Sequence, residues 1–377
     1  MSEYLYTAPP LDRGVGLRRH IMTTAMRSFG GWGYREIQVP LVHYFDALKP
    51  GLDDGQIERS FRFVDRGGNL MILRPDVTPA IAQMYAWQMR NVSLPLRVSY
   101  THKVVRLGRS LRRNQLESYQ LGVELIGGDE PIGDMEVLLL ALEVLERLKL
   151  PDVHVRLGDH QTANYLLESC GAPSRIREEI REALVARDAH RVRSLLDKLG
   201  TRDAYARAIM AMVSLRGGPS QLQALREIFP YDKRLTQRLD ALQTMLETLT
   251  ALGLKDKVHL ELAELAGASY YTGIGFSLIS GNSSKEVGRG GRYDDLAGAY
   301  GKGAPAVGFS LSLEMLLDAL HHSTHHLDDN AQSMAIAEVH EDQHIEGLKR
   351  VLELRAQDQR VRVVARTHAD KKRGGLL

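Results

Sequence analysis

From Ala172 to Leu254 the chain reads as helix after helix, whereas strand patterns stand on both sides of this block. Ser174 can cap a helix that carries Ile176, Ile180, Leu184 and Val185 on one side, and Leu195, Leu196 and Leu199 continue the spacing. Upstream, residues 96–100, 119–127 and 153–157 alternate like half-buried strands, and 258–263 and 269–279 do so downstream. Strands interrupted by inserted helices predict an α+β domain around a mostly antiparallel sheet, with a helical insertion over about 172–255.

The flanks fit the same plan. Leu17, Ile21, Ala25 and Phe29 recur every fourth residue and predict a helix over 14–29, stopped by Gly30 and Gly31. A strand over 34–39 ends at Pro40, a residue suited to a strand end. Thr78-Pro79 opens another helix, and residues 133–148 form a strongly apolar one. A strand and a helix follow over 306–320. The run HHSTHHLDDN at 321–330 then separates residues 1–322 from a short β-α-β segment over 323–377.

Charge is nearly balanced, at +2 from 49 basic and 47 acidic residues, so no global nucleic-acid-binding field is expected. Cys170 stands alone, which excludes an internal disulfide and suits a reducing compartment. The first residues hold no signal-peptide core, and no 18-residue apolar run occurs, so a cytoplasmic protein without membrane segments is expected. His321, His322, His325 and His326 lie in a run that reads as a flexible linker, and no metal site is expected there.

Two strands carry the chemistry. In Tyr119–Ile126, Gln120, Gly122, Glu124 and Ile126 share a face, so a glycine between two polar groups either admits a ligand or simply faces water. In Tyr270–Ser277, Tyr271, Gly273, Gly275 and Ser277 share a face, which makes either a pocket floor or a bulge under a packed helix. Asp76 and Thr78 sit at a strand-to-helix turn, as site residues or as ordinary helix-start groups. Gly288–Asp294 lacks the Lys-Ser/Thr of a phosphate loop. Lys103, Arg106, Arg109, Arg112 and Arg113 either grip phosphate or belong to a solvated loop.

Taken in order, these segments resemble the class II aminoacyl-tRNA synthetases, and among them the histidyl-tRNA synthetase family, from about Leu11 to Leu320. The 14–40 region resembles the first class motif, Arg106 with Gln120–Glu124 the second, and Val307–Glu314 the third. Leu265–Thr272 and Gly290–Asp294 resemble the two histidine-specific signatures. The resemblance implies a homodimer formed through 14–40 and a histidine pocket. In it Asp76, Thr78 and Gln120 would meet the amino group, and Glu124 and Tyr271, with Tyr270 beside it, the imidazole. Asp76 stands where the family usually has a glutamate.

Departures from the family pattern imply loss of amino-acid activation, which needs positive charge where the transition state gathers negative charge. Arg106 is kept, but Gly108, Ala266, Ser269 and Met315 stand where the family places a glutamate, an arginine, an aspartate and an arginine. The short tail implies no complete anticodon domain and no tRNA partner. This state resembles the regulatory subunits of short-form ATP phosphoribosyltransferase, which implies a non-enzymatic subunit without a cofactor. It would assemble with a catalytic subunit and take histidine as effector in the first step of histidine biosynthesis. Divergent amino-acid adenylation is the rival expectation. With Ala266 in place of an arginine, Arg106 and Arg292 are the candidate partners for a ligand carboxylate.

Overall fold

The structure is a computed structural model. It describes residues 13–89, 91–107, 116–200, 204–214, 219–263, 270–281, 285–323, 335–340, 344–357 and 361–366. Gly108, Arg109, Arg112, Arg113, Ala266, Ser269, His325 and His326 therefore lie outside the described residues. The chain divides into two compact units, Met1–Ser323 and Thr324–Leu377.

In the first unit, β1 (Arg35–Glu36) begins an eight-stranded sheet. β2 (Val42–Tyr44), β3 (Arg62–Val64) and β4 (Leu70–Leu73) form a separate antiparallel sheet in the order β2-β4-β3. The large sheet continues with β5 (Leu96–Val105), β6 (Glu117–Ile126), β7 (His154–Asp159) and β8 (Val258–Leu260), then β9 (Ile274–Ser280), β10 (Lys285–Arg292) and β11 (Ala306–Ser312). Its order is β1-β5-β6-β11-β10-β9-β7-β8, antiparallel except at the β1–β5 and β7–β8 pairs. The expected mostly antiparallel α+β architecture is therefore present.

Alternation along β6 separates two cores. Leu121, Val123 and Leu125 join Val307, Phe309 and Leu311 of β11 on one face, against Ile21, Ala25 and Phe29 of helix Arg13–Gly31 and Leu138, Ala141 and Leu145 of helix Ile132–Arg147. Every fourth residue of the first helix is buried, as its spacing predicts. Ile126 faces the other way, beside Val98 and Tyr100 of β5 and Val77, Ile81 and Tyr85 of helix Val77–Gln88. Among the described residues, six helices lie between β7 and β8 in sequence, from His160–Ser169 to Lys233–Ala251. Ile180, Leu196 and Leu239 of these helices belong to the first core, so the inserted helices share it.

Three strands are shorter than their patterns predict, and β8 keeps Val258–Leu260 of the expected 258–263. β1 keeps two residues of the expected 34–39: the Ile37 N–H still donates to Ser99 O at 3.0 Å, but the Val39 N–H donates to the His102 ring at 3.2 Å instead of to the ladder. β9 begins at Ile274, not at 269, so Tyr271 precedes the strand. No described helix is long and apolar enough to cross a membrane. In the second unit, β12 (Ala335–His340) pairs in parallel with β13 (Val361–Arg366), with helix His344–Ala356 between them in sequence.

Candidate functional site

On the second face of the large sheet, strand register aligns a row of small residues. Glu124 of β6 lies opposite Gly308 of β11, which lies opposite Gly291 of β10, then Gly275 of β9 and Gly158 of β7. The glycines are required by close approach. A Cβ on Gly308 would stand 1.8 Å from Glu124 Oε2, one on Gly291 would stand 2.9 Å from the Tyr271 ring, and one on Gly275 would stand 2.7 Å from His160 Nε2. Bare backbone thus lets one carboxyl and two rings lie flat along the sheet.

A cavity of about 380 Å³ opens over this row, a size that suits a small ligand. Asp76, Thr78, Arg106, Gln120, Glu124, Tyr270 and Tyr271 all line it. The groups at the start of helix Val77–Gln88 are diverted from capping. Asp76 stands at the N-cap position, but its carboxylate makes no cap bond. It accepts instead from Gln56 Nε2 at 3.0 Å and Tyr270 OH at 3.3 Å. The Val77 N–H donates to Gln120 Oε1 at 3.2 Å, and the Thr78 hydroxyl donates to Glu124 Oε1 at 2.7 Å.

Glu124 is 1% exposed, so its partners decide its charge. Besides Thr78 it accepts from Tyr100 OH at 3.2 Å and from the Tyr293 hydroxyl. Burial pushes its carboxyl up to about 8, against the pull of these three hydroxyls, and the nearby Asp76 charge adds to the rise. A carboxyl in that state welcomes an N–H donor or a cation. His160 lies behind Tyr271, ring centroids 5.4 Å apart, and burial pushes it down to about 4, so it is neutral at pH 7. Arg59, Arg106 and Arg289 line the cavity as well, together with Asp53 and with Glu286, which accepts from Arg289 Nε at 2.7 Å, so charges of both signs face it. That layout suits a small zwitterion carrying a ring N–H.

One expectation fails. Arg292 does not face the cavity: it is 1% exposed and pairs with Asp134 on the first face of the sheet, with the Gly128 carbonyl as a further acceptor. Strand alternation places Arg292 and Arg289 on opposite faces, because they stand three residues apart in β10. The residues missed from sequence are Gln56, Arg59, Tyr100, Glu286, Arg289 and Tyr293, all but Tyr100 lining the cavity. Tyr293 lies inside the Gly290–Asp294 signature but has no role of its own in the sequence reading, Arg289 lies just outside that signature in the glycine-rich segment, and Tyr100 lies inside a plain strand pattern. Among the described residues no group of three or more His, Cys, Asp or Glu could hold a metal.

The model of a family described as histidyl-tRNA synthetase matches residues 11–316. The chain belongs to the histidyl-tRNA synthetase family. Within that family it is similar to proteins named ATP phosphoribosyltransferase regulatory subunit. One from Syntrophotalea carbinolica is 34% identical over 78% of this chain and 68% of its own length. Another, from Desulfitobacterium hafniense, is 30% identical over 81% of this chain and 78% of its own. Among solved structures, an ATP phosphoribosyltransferase regulatory subunit/histidyl-tRNA synthetase from Bacillus halodurans superposes with a TM-score of 0.84, covering 97% of this chain and 94% of that one at 24% identity. Histidyl-tRNA synthetase from Nostoc has a TM-score of 0.78 at 18% identity, over 98% and 89% of the two chains. At these identities the superpositions establish the histidyl-tRNA synthetase fold.

Proposed function

We propose that this chain is a non-catalytic regulatory subunit of short-form ATP phosphoribosyltransferase, needed by the catalytic subunit and carrying histidine feedback. The observation that carries this reading is Glu124: a buried carboxyl held by hydroxyls, in a cavity that Arg59, Arg106 and Arg289 also line. Histidine supplies what the cavity lacks. Its ring N–H meets Glu124 and Tyr271, its ammonium meets Asp76, Thr78 and Gln120, and its carboxylate meets an arginine of the lining. The names of the curated relatives point the same way.

Met315 lines the cavity where the family places its third-motif arginine, and this supports a pocket that binds an amino acid without activating it. Two copies pair through the 14–40 region, where β1 is an edge strand of the large sheet. Feedback follows if histidine binds two quaternary states with different affinity; a coupling of ~1–3 kcal/mol suffices. No role is assigned to the β-α-β segment over 323–377, and no tRNA partner is assigned.

The test is steady-state phosphoribosyl-ATP formation by a short catalytic subunit of the same source, with and without this chain, across a histidine titration. A large gain on mixing, reversed by histidine, supports the reading. No gain, with no complex by sedimentation, overturns it. Arg106 in the cavity favours a second reading, amino-acid adenylation, and histidine-dependent ATP–pyrophosphate exchange would establish that instead.

A further inference from the structure

An amino-acid ligand brings a carboxylate into the cavity, and three arginines line its wall. The strand register separates them. Next to the row of Glu124 runs the row Gly122, Ser310, Arg289 and Ser277, on β6, β11, β10 and β9 in turn. The row beyond it holds Gln120 opposite Ser312. Arg289 is thus two residues and two strands from Glu124, roughly 12 Å between main-chain positions at about 3.3 Å per residue and about 4.8 Å per strand. It stands in the row midway between Glu124 and Gln120.

Arg106 is at the other end of the sheet. Its N–H donates to Leu116 O, eight residues along β6 from Glu124, or about 26 Å along the strand direction at about 3.3 Å per residue. Arg59 sits at that same end, since the Leu107 N–H donates to its carbonyl. A molecule as small as a free amino acid, anchored at Glu124, meets the row of Arg289 well before it meets the far end. Glu286 Oε1 accepts from Arg289 Nε at 2.7 Å, which fixes the direction of the guanidinium plane.

We infer that Arg289 is the residue that receives the carboxylate of an amino-acid ligand and so distinguishes an amino acid from its decarboxylated amine. This role rests on the reading of the cavity as a histidine pocket. On β11, the strand between Glu124 and Arg289, Gly308 carries no side chain and Ser310 only a short one. Glu286 acts as a positioning residue, through the guanidinium.

The probes are L-histidine and histamine, which share ring and amine but differ by the carboxylate. Isothermal titration of the full chain is expected to give histidine an advantage of about 10- to 100-fold, the size of one charge-assisted hydrogen bond. Arg289→Ala should bring histidine down to the level of histamine and leave histamine unchanged, whereas Arg106→Ala should keep the advantage. Arg289→Gln keeps the side chain long, drops the charge and repeats the measurement if the alanine variant fails to fold. Arg289 variants that retain the full advantage overturn the assignment, and its collapse in Arg106→Ala moves the carboxylate to the far end. If the unaltered chain binds neither probe, the histidine reading falls and this role falls with it. If it discriminates and Arg289 is irrelevant, only the role of Arg289 falls.

Discussion

Two carboxyls of the large sheet are equally hidden from water and opposite in character. Asp159, at the end of β7, is 0% exposed, and Glu124, in β6, is 1% exposed. Arg238 of helix Lys233–Ala251 meets Asp159 through Nε at 2.9 and 3.0 Å and through Nη2, and Thr162 adds a hydroxyl and an N–H. Burial by itself would raise Asp159, yet Arg238 and Thr162 outweigh it and hold the carboxyl below its ordinary value. Glu124 has hydroxyls alone, and burial wins, up to about 8. A buried carboxylate beside a full counter-charge is completed within the chain. A buried carboxyl beside hydroxyls is completed by whatever brings an N–H or a positive charge.

Breaking the first site should have the largest effect. Arg238→Ala leaves Asp159 buried without its cation, and losing one partner of a buried pair costs about 3–5 kcal/mol. Urea denaturation should show that loss, together with loosening of the inserted helices that Arg238 ties to β7. A loss below about 1 kcal/mol, the level of an exposed pair, would erase the distinction between the two sites.

Glu124→Gln is the matching change at the second site, and its expected signature is reversed. Histidine affinity measured above about pH 8, where the carboxyl is ionised, should fall about 100-fold, as for a charge-assisted bond, while stability is kept. The pH dependence sharpens this. Glu124 is raised in the folded chain, so its contribution to stability is fully present below about 4.5, the unfolded value, and is lost as pH rises through about 8. Asp159 is lowered, so its contribution is present above 3.8 and is lost as pH falls through its folded value. Denaturation between pH 5 and pH 9 should therefore show stability declining in the unaltered chain and a flatter profile in Glu124→Gln. Equal slopes would mean that Glu124 does not titrate in this range. Gly308→Ala, next in size, drives a methyl group against Glu124 and should cost about 1–3 kcal/mol, with histidine binding weakened as the carboxyl is displaced.

Much of this contrast was legible in the sequence on the Glu124 side and little on the Asp159 side. Gln120, Gly122 and Glu124 share a face because strand alternation is local, and the spacing of Leu17, Ile21, Ala25 and Phe29 reveals a buried helical stripe for the same reason. All seven residues expected at the site line one cavity. The Asp159–Arg238 pair joins residues 79 positions apart through the inserted helices, and no local pattern encodes such a pairing. Arg292 and Arg289 mark the limit between these cases. Alternation separates their faces, but which face is the pocket depends on register with β11 and β9, set by distant segments. Asp76 and Thr78 were ambiguous because the residue types that start helices are also those that bind ligands, and only their partners, Gln56, Tyr270 and Glu124, distinguish the two uses.

The smallest expected effect tests whether hydroxyls tune Glu124 or define it. Tyr100 OH donates to Glu124 Oε1 at 3.2 Å, longer than the 2.7 Å bond from Thr78, so it is the weaker of the two donors to that oxygen. Tyr100→Phe removes the donor and keeps the ring that packs between helix Val77–Gln88 and the sheet. Each hydroxyl favours the ionised carboxyl, so losing one should raise the Glu124 value further above about 8. The cost in histidine affinity should be about 1 kcal/mol, severalfold in the dissociation constant. Thr78→Val should cost more, because its bond is shorter. If either variant lost as much affinity as Glu124→Gln, the hydroxyls would be part of the charge-bearing site, and Glu124 would resemble Asp159 in being completed from within.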